Sequence, residues 1–309
     1  MIFKHSSYHQ QIIDSHKPKH GVDMLSVLAP ETSLWRMSST APAILTPVYS
    51  ALELRGHPPP MLFIHGVEYS GPSEALNDLV LPMLRHIGLK NLEHRSLYLL
   101  SWNSLIFPRE KTSEFFNASK TKQLVHGMRE LLRCRQYLSN VEQRAKQASS
   151  FLSPFILEWN SIANNGPIVI THSMGSLVWA EALKHILESS SMLIRPGIWW
   201  SLQPALTHKS FTDNGEYRMV SKLYTGQESS RAMVWYSRLD FILSSLYLLS
   251  KRSLALGQVG CPQRVLPQRD ITGVVGEAHG MKHFKSLRGD FFNRAGSLIK
   301  SEAVNLGII

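Results

Sequence analysis

The chain has 309 residues, 43% of them hydrophobic, so it can bury a substantial core, and a chain of this length with this pattern is expected to form a single α/β domain. Thirty-three basic against 23 acidic residues leave a net charge of +10, which favours anionic surfaces; no nucleic-acid motif accompanies the charge, so nucleic acid is set aside and peripheral contact with an anionic membrane is the partner left open. Cys134 and Cys261 are isolated, which excludes a disulfide framework and metal-ligand spacing, and no cofactor or metal is called for.

Residues 1–42 are polar, His-rich and poorly periodic, without the apolar stretch of a secretory signal, and are expected to form a loosely packed lead-in to one domain over 43–309. The first buried strand is predicted at 61–64: prolines precede Met61-Leu62-Phe63-Ile64, and the run ends in His65-Gly66-Val67. A helix is predicted over Ser73 to Arg85 and a strand at 97–101, running into Trp102-Asn103-Ser104. An insertion at about 103–136 carries Lys120, Lys122, Arg129, Arg133 and Arg135 and is expected to cover part of any site nearby; a long helix follows from about Asn140 to Ile162.

The most informative segment comes next. Asn164-Asn165-Gly166-Pro167 breaks the chain, Ile168-Val169-Ile170 suits a buried parallel strand, and Thr171-His172-Ser173-Met174-Gly175 turns into sequence with helical spacing at Leu177, Val178, Leu183, Ile186 and Leu187. A serine on such a turn stands clear of the sheet, above the N-terminus of the following helix, which makes Ser173 a candidate nucleophile. The backbone N–H of Met174, just after it, and that of Val67, after the earlier strand, are the candidate oxyanion donors. The usual pattern is Gly-x-Ser-x-Gly, and Thr171 replaces its first glycine. The alternative is an ordinary strand–turn–helix with an incidental serine.

Two further strands are predicted, at 198–202, closed by Gln203-Pro204-Ala205, and at 232–236, followed by Arg238-Leu239-Asp240. Gln268 to Gly280 then supplies a short extended stretch, a glycine-punctuated loop and His279. Strands alternating with helices predict a mainly parallel central sheet with helices on both faces. The longest apolar run, near Leu239 to Leu249, is short and broken by serines, so no membrane span is expected and the cytoplasm is the simplest location.

Leu62-Phe63-Ile64-His65-Gly66, the strand Tyr98 to Ser104 and Ile168 to Ser176 together resemble the α/β-hydrolase superfamily, in its branch of serine esterases and lipase-like proteins, over roughly residues 58 to 290. The resemblance implies the α/β-hydrolase fold and a triad in chain order Ser, then Asp or Glu, then His. Asp240 fills the acid position; the competing reading has it capping the helix that starts at Phe241. Asp213 and Asp270 are weaker candidates. His279 fills the base position, with His283, at the start of a terminal helix running through Phe284, Leu287, Phe291 and Phe292, as its competitor. His65 and His172 sit at positions that more often shape a pocket than transfer protons. The expected activity is hydrolysis of a carboxylic ester through an acyl-enzyme on Ser173; a thioesterase, an amidase, or a non-catalytic binding protein on the same fold are the alternatives.

Overall fold

The computed structural model describes residues 32–38, 43–55, 57, 60–67, 69, 71–92, 94–105, 120–162, 166–190, 194–225, 231–279 and 291–309. Among the described residues eight strands, β1 (Ser33–Met37), β2 (Leu45–Val48), β3 (Pro60–Ile64), β4 (Ser96–Ser101), β5 (Ile168–His172), β6 (Ile198–Leu202), β7 (Arg231–Tyr236) and β8 (Gln268–Asp270), form one sheet in the order β2-β1-β4-β3-β5-β6-β7-β8. From β4 through β8 every pairing is parallel, and β1 alone runs against both of its neighbours.

The apolar runs are continuous because both faces of the sheet are covered. Successive side chains point to opposite faces. Leu62, Ile64, Val169, Trp199 and Val234 join one core, while Met61, Phe63, Ile168, Ile170, Trp200 and Trp235 join the other. Among the helices, α1 (Leu81–Ile87) and α5 (Phe291–Asn305) cover the second core. The helices α2 (Lys120–Ile162), α3 (Gly175–Ser189) and α4 (Arg218–Thr225) cover the first. A mainly parallel sheet wrapped on both faces in this order is the α/β-hydrolase fold. Among the described residues no helix is long and apolar enough to cross a membrane.

Two boundaries differ from the sequence expectation. Ser33–Met37 is a strand of the sheet, so the lead-in expected over 1–42 extends too far into the fold. Its signal is weak because only Leu34 and Met37 are buried, and Arg36 meets the ring of His57 at 2.7 Å. The long helix begins at Lys120 rather than near Asn140, so the second half of the expected insertion is helix; Lys, Gln, Arg and Leu are all good helix formers, and the charge obscured this. The first half, 106–119, lies outside the described residues. The terminal helix is described from Phe291, and Phe284 and Leu287 lie outside the described residues.

Candidate functional site

Strand β5 ends at His172, and Ser173 takes a left-handed backbone conformation, φ +52°, before α3 begins at Gly175. A non-glycine residue there is strained, and the surroundings must hold it. The Ser173 N–H donates to Leu202 O at 2.9 Å, and Ser173 O accepts from Ser176 N and Ala205 N, each at 3.1 Å. Glycine at 175 is required by approach: a methyl there would lie 2.4 Å from Ile64 O and 2.6 Å from His65 O. Gly66 is also close-packed, its methyl position being 2.8 Å from Ser173 Cβ.

Thr171 stands in the first glycine position without loosening the turn. It is fully buried. Its hydroxyl accepts the Trp199 indole N–H at 2.9 Å and pairs with Ser176 Oγ at 2.9 Å, and Ser176 Oγ in turn meets Ser201 Oγ at 2.8 Å. The extra bulk is accommodated by two small serines and tied down by an indole.

The structure brings Ser173, Asp240 and His279 together from three different segments. His279 Nδ1–H donates to Asp240 Oδ2 at 2.6 Å, which leaves Nε2 as acceptor for the Ser173 hydroxyl at 2.9 Å. The other carboxylate oxygen of Asp240 accepts the Leu243 N–H at 3.0 Å. Asp240 therefore both caps the following helical turn and orients the imidazole, so the two readings of this residue are compatible. Asp270 is elsewhere, accepting from the Thr272 N–H and hydroxyl and paired with Arg238 at 3.0 Å. Asp213 is in an exposed loop, and His283 lies outside the described residues.

On the neighbouring strand, His65 governs the other side of the site. Its Nδ1–H donates to Gly66 O at 2.8 Å, while Nε2 accepts the Trp102 N–H at 3.2 Å. In a trans peptide the carbonyl and the next N–H point in opposite directions, so holding Gly66 O toward His65 turns the Val67 N–H away from that ring. Among the described residues, neither the Val67 nor the Met174 backbone N–H has an acceptor. His65 lies parallel to the Trp102 indole, 7° between planes. Burial lowers its pKa to about 4, so it is a neutral strut at ordinary pH.

Two residues to which sequence reasoning gave no catalytic or oxyanion role bond the two carbonyls that flank the His279 Cα. His172 donates from Nε2 to His279 O at 2.7 Å. Gln203, buried and at φ +45°, donates from Nε2 to Ala278 O at 2.8 Å. Burial, then the nearby His279 ring, lower the His172 pKa to about 3. His172 was visible as a motif position but its partner was not; Gln203 carried no local signal beyond ending a strand. Among the described residues no cluster of three or more His, Cys, Asp or Glu is placed to hold a metal ion.

No family model and no curated protein matches the chain. Among solved structures, the chain is similar to an ester-hydrolase from the metagenome of Lake Arreo, complexed with a derivative of bipyridine phosphonate. The identity is 12%, covering 98% of this chain and 88% of that one, with a TM-score of 0.40. It is also similar to a fungal esterase from Rhizomucor miehei at 12% identity, covering 97% of this chain and 95% of that one, with a TM-score of 0.38.

Proposed function

We propose that the protein is a serine hydrolase that cleaves carboxylic esters through an acyl-enzyme on Ser173. The observation that carries this reading is the hydrogen-bonded chain Ser173, His279, Asp240, with contacts of 2.9 and 2.6 Å. His279 Nε2 takes the Ser173 proton as Oγ bonds to the ester carbonyl carbon. The carbonyl oxygen becomes an oxyanion, and the Val67 and Met174 N–H groups are the donors assigned to it. Collapse breaks the carbon–oxygen bond to the alcohol, which leaves with the proton from His279. Water then attacks the acyl carbon while His279 takes its proton, and the carboxylic acid departs as Ser173 regains its hydrogen.

Esters are favoured over amides in this reading by the resemblance to serine esterases, while the triad chemistry itself serves either acyl group. Asp240 stabilises the imidazolium formed in each half-reaction. A fluorophosphonate probe is expected to label the wild type and to leave Ser173→Ala unlabelled; equal labelling of both proteins defeats the assignment. A chain-length series of p-nitrophenyl esters then separates a small-ester enzyme, whose rate falls with acyl length, from a lipase, whose rate rises.

A further inference from the structure

We propose that His172 and Gln203 are positioning residues that clamp His279 by its main chain; the proposal rests on reading His279 as the base. The two side chains come from the tips of adjacent parallel strands, one from the last residue of β5 and the other from the residue after β6. They donate to successive carbonyls, Gln203 Nε2 to Ala278 O at 2.8 Å and His172 Nε2 to His279 O at 2.7 Å. Those carbonyls lie on either side of the His279 Cα. With both flanking peptide planes held, only the side-chain torsions of His279 stay free, and the bond to Asp240 fixes them.

Stability alone does not account for these two side chains. Among the described residues, His172 Nδ1 and Gln203 Oε1 are buried without a hydrogen-bond partner, and an unsatisfied buried polar atom destabilises the fold. Gln203 also occupies a left-handed backbone conformation, which is strained for a residue with a side chain and is found chiefly where a local geometry matters. Apolar residues in both places would remove the orphan acceptors. They would also release the loop carrying the base. Ser173 N–H is bonded to Leu202 O, the carbonyl just before Gln203, so the nucleophile and the clamp on its base share one pair of strand ends. A displacement of His279 of order 1 Å would lengthen its 2.9 Å contact with Ser173 beyond useful reach.

The test uses the full chain with three substitutions. His172→Phe keeps a planar ring and deletes the donor, His172→Gln offers an amide N–H at the reach of the lost Nε2–H, and Gln203→Met keeps length without a donor. Three readouts are taken: the rate of fluorophosphonate labelling of Ser173, the thermal midpoint, and the low-field proton resonance of His279 Nδ1–H, identified by its absence in His279→Gln. His172→Phe and Gln203→Met are each expected to slow labelling by about 10- to 100-fold and to broaden or remove the low-field resonance. Midpoints should stay within about 3 °C of wild type, and His172→Gln should label within about threefold of it. Wild-type labelling and an unchanged resonance in both donor-deleted variants overturn the clamp. If His172→Phe fails to fold, Gln203→Met carries the same expectation on the neighbouring carbonyl. A wild type that does not label at Ser173 defeats the hydrolase reading, and the resonance alone then decides the clamp: its loss supports the clamp and its persistence overturns it.

Discussion

Ser173 and His279 are placed by opposite means. Ser173 is held by backbone: a left-handed φ of +52°, main-chain hydrogen bonds to Leu202, Ser176 and Ala205, and two glycines whose missing side chains let β3 and α3 close on it. His279 is held by side chains from Asp240, His172 and Gln203, reaching across tens to more than a hundred positions of sequence. The first arrangement tolerates almost no volume change. The second tolerates volume but not the loss of a donor or acceptor.

The largest expected effect strikes the second arrangement. Asp240→Asn keeps the shape and the cap on Leu243 but offers the imidazole an amide, which stabilises the wrong tautomer, and ester turnover is expected to drop by about 10⁴-fold. A purified variant turning over within tenfold of wild type in a steady-state assay contradicts the role given to Asp240. Acid comes next. His65 and His172 stay neutral in the folded chain down to about 4 and about 3, whereas unfolded histidines protonate near 6.5. Above that value the protonation of these two residues does not affect stability. As pH falls below it, only the unfolded state takes up these protons, so each histidine lowers stability by about 1.4 kcal/mol per pH unit until its folded pKa is reached. Urea midpoints at pH 7 and pH 5 should therefore separate, and His172→Phe should narrow the gap.

The backbone-built side responds to volume. Gly175→Ala places a methyl 2.4 Å from Ile64 O, and is expected to lower stability by about 1–3 kcal/mol in denaturant melts; a neutral outcome means the turn can yield. Thr171→Val is the mildest change: shape is nearly kept while the Trp199 N–H loses its acceptor, for an expected loss of about 1–2 kcal/mol with labelling of Ser173 retained. Abolished labelling in a folded Thr171→Val protein would mean that this hydroxyl does more than replace a glycine.

The same contrast explains what was legible in the sequence. The turn around Ser173 is local, its residues adjacent and its breakers and glycine in view, and the parallel strands were readable as continuous apolar runs because both faces are buried. Asp240 and His279 were reachable through chain order and placement after strands. Gln203 and the bond made by His172 were not, because a side chain donating to a carbonyl 75 or 107 positions away leaves no periodicity. β1 escaped for a related reason: reversed between its neighbours and buried at Leu34 and Met37 only, it does not read as an apolar run.

At the two borders of the sheet the chain has closed its open ladders. The outer strand β2 contains Pro47, which has no N–H to offer a neighbour. At the opposite border β8 is three residues long and wholly polar, with Arg269 tied to Glu302 and Asp270 to Arg238. Short, charged or proline-bearing edges are poor templates for a further strand. A protein whose interior strands are rich in Ile, Val, Leu and Trp is thus guarded where they could otherwise recruit another copy, and edge-to-edge growth is disfavoured at both ends.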